Sequence, residues 1–549
     1  MGVMTYSFSA VHWWLSEIQA RVVANSRKPS DRFHLGKLIL DSLRDVPDQV
    51  LQIDGGTGES ETFGSALKRS VQCANALLKM GLKKDDVVVI MAPNHIHLCI
   101  PMYAAFYLGI GVAAVDSTLA VKELHDTFEF NKPKIIFCQS EKAKEVEEAV
   151  RRLDFECEII TFNSGSEYKT ILELLHEGDD VPIDKFEPAD FDPTKTAAML
   201  IATSGTTGLP KSAEVTHTNL VFGMSYMWSY FDTFPSPTPL SFVTSPIQWY
   251  SAIFQLISCP LMRQTRLQSS QPMTQKHTYY LINKYRPSFA MSSPNTWMTL
   301  LKPGERDQCD FTSFELIFIG GSAMPPGLPM EIEKAMPNTL ALNVYGMSEL
   351  SGLALLHDVT MPESVGRPIP YLKCKLVNPE SLQEITEPNI PGELWLKGPS
   401  VFKGYYNNAE VTAETITKDG WLRTGDIMYR DKNWLFYFVD RLKSLLKYRN
   451  YQISPVEIES LISNHPGVFE VAVTSVPHLE HGDLPVACIV KHEDFNVTAQ
   501  EIKDLVKNNL ADSKQLRGGV IFLKQLPLTA SSKVDRKKLS TLAKTMEKE

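Results

Sequence analysis

Within nine residues, Thr203-Ser204-Gly205-Thr206-Thr207-Gly208-Leu209-Pro210-Lys211 brings together the groups that bind a polyphosphate. Gly205 and Gly208 let backbone N–H groups come close to an anion. The hydroxyls of Thr203, Ser204, Thr206 and Thr207 add donors, and Lys211 adds positive charge. A glycine-rich turn of this kind favours anions for the reasons a helix N-terminus does. It is not a Walker A loop. Counting from Gly205, Pro210 stands where a glycine must precede the lysine, and proline has no N–H to give.

Such a loop needs a rigid element before it, and the apolar residues 197–202 read as a strand leading into it. Residues 86–91, 134–138 and 316–320 read as further buried strands, with amphipathic helices over 63–80 and 140–152 between them. Strands alternating with helices predict an α/β fold with largely parallel sheets. After about residue 360 glycines and prolines become frequent, and short strands such as 392–396 predict a β-rich subdomain. From Asp440 the chain reads as a compact α+β unit, with a helix over 454–465 that carries Pro455 in its first turn. The expected division is a large N-terminal domain over 1–439 and a small C-terminal domain over 440–549.

The 549 residues are too many for one ordinary core, and 43% hydrophobic with 22% charged residues excludes a disordered or fibrous chain. A net charge of -9 with no long basic run argues against nucleic acid and for small-molecule partners. The eight cysteines are scattered, without C-x-x-C or Cys/His clustering, as reduced core thiols of an intracellular protein would be. Residues 98–115 carry no charge, but Pro101, Gly109 and Gly111 make a buried helix and strand the better reading than a membrane span. No transmembrane segment is expected. The apolar patch Val11 to Leu15 lacks the length of a signal h-region, and Glu547-Lys548-Glu549 is not Ser-Lys-Leu. The expected compartment is cytoplasmic or peroxisomal, with Glu17 and Asp31 weighing against a mitochondrial presequence.

The loop resembles the signature of the adenylate-forming superfamily, which includes acyl-CoA synthetases, 4-coumarate–CoA ligases, nonribosomal peptide adenylation domains and firefly luciferase. Further motifs follow in order. Asn343-Val344-Tyr345-Gly346-Met347-Ser348-Glu349 resembles the family's Tyr-Gly-x-Thr-Glu, with Ser348 for threonine. Glu349 is then the Mg²⁺ ligand, as a hard cation travelling with phosphates requires oxygen. Gly320-Gly321-Ser322-Ala323 resembles the segment against adenine. Trp421-Leu422-Arg423-Thr424-Gly425-Asp426 resembles the motif whose aspartate accepts both ribose hydroxyls. Asp440-Arg441-Leu442-Lys443 with Lys447 resembles the hinge region, and Lys533 the adenylation lysine of the terminal loop. The extended similarity over 440–452 places the chain beside the insect luciferase-like acyl-CoA synthetases.

The resemblance implies ATP and Mg²⁺ as cofactors, CoA as cosubstrate and a carboxylic acid as substrate. Attack on ATP gives an acyl-adenylate with Lys533 in place. Rotation of a mobile C-terminal domain about Lys443 then presents Lys447 for thioester formation. An acid pocket is expected at Gln248, Trp249, Gly352 and Leu353, with Trp249 either gating an apolar tunnel or filling core. Gly223 falls where luciferase has a luciferin-contacting arginine, and Leu353 where it has a small alanine, so a fatty acid is the expected substrate. An aryl-acid ligase, a light-emitting monooxygenase and a silent nucleotide-binding pseudoenzyme are the rivals. Ser212, Asn450 and Ser532 stand where the family commonly has glycine, which supports the last of these. The retained Lys211, Glu349, Asp426, Arg441, Lys447 and Lys533 oppose it.

Overall fold

A computed structural model of the chain describes residues 33–549, apart from 166, 181, 204–210, 225–239, 303, 323, 326, 357–360, 362, 370, 443, 449–450, 479–480, 493–494, 530–532 and the side chains of 447, 451 and 452. The described residues form four sheets in a large N-terminal domain and a small C-terminal one. In the first, Ala197–Thr203, Gly111–Ala114, Val87–Met91, Ile135–Cys138 and Glu158–Thr161 lie side by side and parallel. Their near-continuous Val, Ile and Leu content is what a sheet covered on both faces requires. The second, nine-stranded sheet runs parallel through its centre, where Leu240–Phe242, Phe289–Ser292, Leu316–Gly320 and Leu340–Met347 line up. Gly352–Leu356 turns back antiparallel against Leu340–Met347.

The uncharged run 98–115 resolves into the helix Cys99–Leu108 and the strand Gly111–Ala114. All ten helix residues are buried, so its apolarity serves a core rather than a bilayer. No helix of the described residues is long and apolar enough to cross a membrane. All eight cysteines are free thiols, and seven of them have their pKa pushed up to about 11 or 12 by burial.

The β-rich part is a five-stranded antiparallel sheet that includes Gly392–Lys397, Leu422–Arg430 and Phe436–Arg441. The C-terminal domain wraps Pro455–Ser463, Ala499–Asn509 and Arg536–Thr545 around the long hairpin Val468–His478 and Gly482–Lys491, with a separate apolar core. Asp440, at the end of the β-rich sheet, is 3% exposed. Its Oδ2 accepts from Ser454 Oγ at 2.8 Å and from Val456 N at 3.4 Å, so it supports the N-terminus of Pro455–Ser463 beside the Ser454 cap.

Candidate active site

The strand Ala197–Thr203 ends at the phosphate loop and pairs antiparallel with Lys211–Thr216, with Thr203 opposite Lys211. The loop therefore connects two paired antiparallel strands, with Lys211 at the start of the second. Ser204 to Gly208 lie outside the described residues, as do Pro210, Ala323, Lys443, Asn450 and Ser532, and the N-terminal patch at 11–15. The departure at Ser212 is accommodated: its hydroxyl is buried and donates to Asn131 Oδ1 at 3.3 Å.

The outer edge of that hairpin carries the short strand Gly404–Tyr405, with Tyr405 opposite Ala213. This brings the Tyr405 ring to 5.8 Å from Lys211 Nζ, and its hydroxyl donates to Glu349 Oε1 at 2.8 Å. Burial and then the Glu349 charge push the phenol up, which keeps it a donor. Phe402 N also holds the Glu349 carbonyl at 2.8 Å. One tyrosine thus ties the loop cation to the candidate metal carboxylate. Sequence motifs do not single it out, because its partners Lys211 and Glu349 lie 194 and 56 residues away along the chain.

A second cluster joins the end of Leu340–Met347 to the middle of Leu422–Arg430. Tyr345 Oη donates to Asp426 Oδ2 at 2.6 Å, and Arg441, its cross-strand neighbour, places Nε 3.1 Å from Oδ1. That ion pair lacks hydrogen-bond alignment, so Oδ1 is a buried acceptor without an aligned donor. Such an acceptor suits a hydroxyl donor on a bound ligand. Burial pushes the Asp426 carboxyl up, and Arg441 and Tyr345 hold it back.

All these groups line one cleft of about 1940 Å³, together with Thr203, Gly321, Ser322, Asn343, Gly346, Ser348 and Lys533. Lys533 is exposed into the cleft and enclosed by protein. This enclosure, and then Arg441, lower its ammonium pKa, against the opposing pull of Asp426 and Glu349. Its loop is closed by Thr529 N donating to Lys533 O at 2.7 Å. Lys447 pairs through its backbone with Gln452.

Of the residues expected at the acid pocket, Trp249 precedes the helix Tyr250–Met262 and lines the cleft half-buried, with Gly352 and Leu353, so it is a wall rather than core filling. Gln248 is not among the lining residues. Tyr250, beside Trp249, donates its hydroxyl to Ser351 O. A Cβ on Gly223 would stand 2.0 Å from that same oxygen, and Gly352 has φ 151, so two glycines let these two backbone segments meet beside the Tyr250 hydroxyl.

The family model described as AMP-binding enzyme matches residues 41–406, and that of the AMP-binding enzyme C-terminal domain matches 457–533. The luciferin 4-monooxygenase of Photuris pensylvanica is 29% identical over 91% of this chain and 93% of its own length. A probable CoA ligase of Humulus lupulus is 27% identical over 94% of this chain and 92% of its own. The o-succinylbenzoate CoA synthetase of Bacillus subtilis, solved with its acyl-adenylate intermediate, superposes with a TM-score of 0.78 at 23% identity, covering 93% of this chain and 98% of that one.

Proposed function

We propose, from the premise that this chain belongs to the AMP-binding enzyme family, that it activates a medium- to long-chain fatty acid with ATP and passes the acyl group to CoA. The observation that carries this reading is the convergence of Lys211, Glu349, Asp426, Arg441 and Lys533 on one cleft. The acyl-adenylate in the Bacillus subtilis synthetase supports the same first step.

A carboxylate oxygen bonds to the α-phosphorus of ATP, the α–β bridging bond breaks, and pyrophosphate leaves with its electrons. The obstacle is repulsion between an anion and a polyanion. Lys211 and Lys533 offset it with positive charge, and Asp426 with Tyr345 fixes the nucleoside. Glu349 suits a divalent cation: Tyr405 occupies Oε1, and no described residue donates to Oε2. Such a cation, arriving with ATP, supplies further charge neutralisation there. In the second step the CoA sulfur bonds to the acyl carbonyl carbon, the bond to AMP breaks, and the thiol proton is lost.

The division at 439/440 and a pivot at Lys443 let the C-terminal domain withdraw Lys533 and bring Lys447 instead, which also shields the adenylate from water. Among the described lining residues the cations are Lys211, Arg423, Arg441, Lys533 and Arg536. None comes from the Trp249, Met291 or Leu353 segments, so the acid end suits a substrate with no second negative charge. The Photuris relative favours a second reading, an aryl-acid or light-emitting enzyme. Against it, the contact between Gly223 and Ser351 leaves no room for an arginine.

The test is acid-dependent release of AMP and pyrophosphate with Mg-ATP and CoA, across acids from acetate to oleate plus 4-coumarate and luciferin. A CoA-dependent peak among the fatty acids is expected. A peak at 4-coumarate, or light with luciferin, selects the second reading. Silence throughout with ATP still bound leaves a nucleotide-binding pseudoenzyme or an acid outside this panel.

A further inference from the structure

The residues lining the expected acid end of the cleft are of two kinds. One is Trp249, Met291 and Leu353, the apolar lining that an alkyl chain wants. The other is built of hydroxyls. Thr244 and Ser245 follow the strand Leu240–Phe242, Ser292 ends Phe289–Ser292, and Ser251 lies in the first turn of Tyr250–Met262. These four line the same cleft from three separate elements.

They are joined in two pairs. Thr244 Oγ1 and Ser292 Oγ are 2.7 Å apart, and Ser251 Oγ donates to Ser245 Oγ at 2.8 Å. Asn94 Nδ2 donates to the Ser245 carbonyl at 2.8 Å and so anchors the second pair. Each pair holds two hydroxyl hydrogens and uses one of them internally. The other hydrogen, with the remaining lone pairs, is left for whatever fills the cavity. A saturated chain would displace water from both pairs and return nothing, whereas an oxygen atom on that chain would take up the spare hydrogen.

The neighbouring described groups offer no substitute. The Tyr250 hydroxyl is already donated to Ser351 O, and Gly223 and Gly352 bring only backbone. Ser293 spends its oxygen capping Pro294–Leu300, where it accepts from Thr296 N at 3.3 Å.

We propose that the acid taken by this cleft carries an oxygen function, a hydroxyl or oxo group, on its chain, held by the Thr244–Ser292 and Ser251–Ser245 pairs. This rests on the reading of the cleft as the site of an aliphatic acyl-adenylate, and it narrows the substrate class. Sites built to hydrogen-bond a substrate group reject the analogue that lacks it far more strongly than apolar pockets reject an added methylene.

The test uses the full chain and unreactive acyl-sulfamoyl adenosines, so it does not depend on turnover. Octanoyl and hexadecanoyl analogues, plain and with a hydroxyl or oxo group at successive carbons, are titrated by calorimetry. At one or more positions the oxygenated analogue is expected to bind at least about tenfold tighter than its plain counterpart. In Ser251→Ala and in Thr244→Val, each checked for an unchanged melting curve, that preference should shrink to within about threefold while plain analogues bind no worse. Should a variant melt early, Ser292→Ala reports on the same pair. Plain analogues binding as tightly as every oxygenated one, or a preference that survives all three substitutions, overturns the proposal. Tight binding of oxygenated analogues without turnover of the matching acids upholds it and instead removes the ligase reading. Failure of every analogue with ATP still bound removes both.

Discussion

Lys211 and Lys533 meet the same polyanion under different constraints. The first faces the Tyr405 ring from the start of a strand, and the second rides on a loop of the C-terminal domain. Replacing Lys533 by Ala should therefore slow adenylation by about 10²–10³, the usual cost of one preorganised charge partner. Thioester formation from synthetic acyl-AMP should fall far less. ATP–pyrophosphate exchange measured beside CoA-dependent consumption of the adenylate separates the two, and an equal loss in both would remove Lys533 from the first step. Its lowered pKa adds a pH signature. The ammonium is the useful form, so kcat/KM for ATP should decline with rising pH before an ordinary lysine would titrate. Bound phosphates favour the charged form, and the decline in kcat should lie higher. Tyr405 acts on Glu349 in turn. Tyr405→Phe keeps the ring near Lys211 but removes the donor to the carboxylate, so the Mg²⁺ concentration for half-maximal exchange should rise about three- to tenfold, with ATP affinity in the absence of metal little changed. Unaltered Mg²⁺ dependence would make the contact one of packing only.

At the scale of elements, the strands were the readable part. Residues 316–320 form a strand with those bounds, and the helix expected over 63–80 is Phe63–Lys79, because unbroken apolar runs and amphipathic periods survive in any fold that buries them. The region 140–152 instead divides into a 3₁₀ turn, Ser140–Lys142, and the helix Ala143–Val150. Register was not readable. Nothing local says that Gly404–Tyr405 lies beside Lys211–Thr216, or that Tyr250 reaches Ser351, since those pairings depend on distant segments. The helix Leu35–Asp45 gives another case. Its cap, His34, stacks on Phe191 at 4.0 Å, donates through Nε2 to Ala189 O at 3.0 Å, and meets His217 edge-on at 5.5 Å. Burial, reinforced by Lys37, lowers the His34 pKa to about 3, and burial lowers His217 well below its ordinary value. The unfolded chain, with histidines near ~6.5, binds these protons first. Stability present above that pH is therefore lost as pH falls toward 3. Urea unfolding at pH 7 and pH 4.5 should show this loss, and it should be smaller by about 2–3 kcal/mol in His34→Asn, which keeps a capping side chain. An unchanged difference between the two pH values would mean that His34 titrates normally.

For the whole molecule the question is how one cleft serves two reactions. The motifs made the parts legible in order along the chain, but not how tightly the C-terminal domain is fastened. Asp440 bears on that. It belongs to the last strand of the β-rich sheet, is almost fully buried, and accepts from Ser454 Oγ and Val456 N at the start of Pro455–Ser463. The rotation proposed about Lys443 would have to stretch or break these bonds, because Asp440 and Ser454 lie on either side of that position in the chain. They therefore favour the arrangement in which Lys533 lines the cleft, by the difference between a buried charged acceptor and the same group in water. Hydrogen bonds to charged groups contribute about 1.5–3 kcal/mol, and ~1.4 kcal/mol is already a tenfold shift in a two-state balance. Asp440→Ala should therefore lower the ratio of adenylation to thioester-forming rate about tenfold, mostly through the first step. Ser454→Ala, which removes one of the two donors, should move the ratio in the same direction by less. If both half-reactions fall together and the melting temperature drops with them, Asp440 supports the fold and plays no part in the exchange of arrangements.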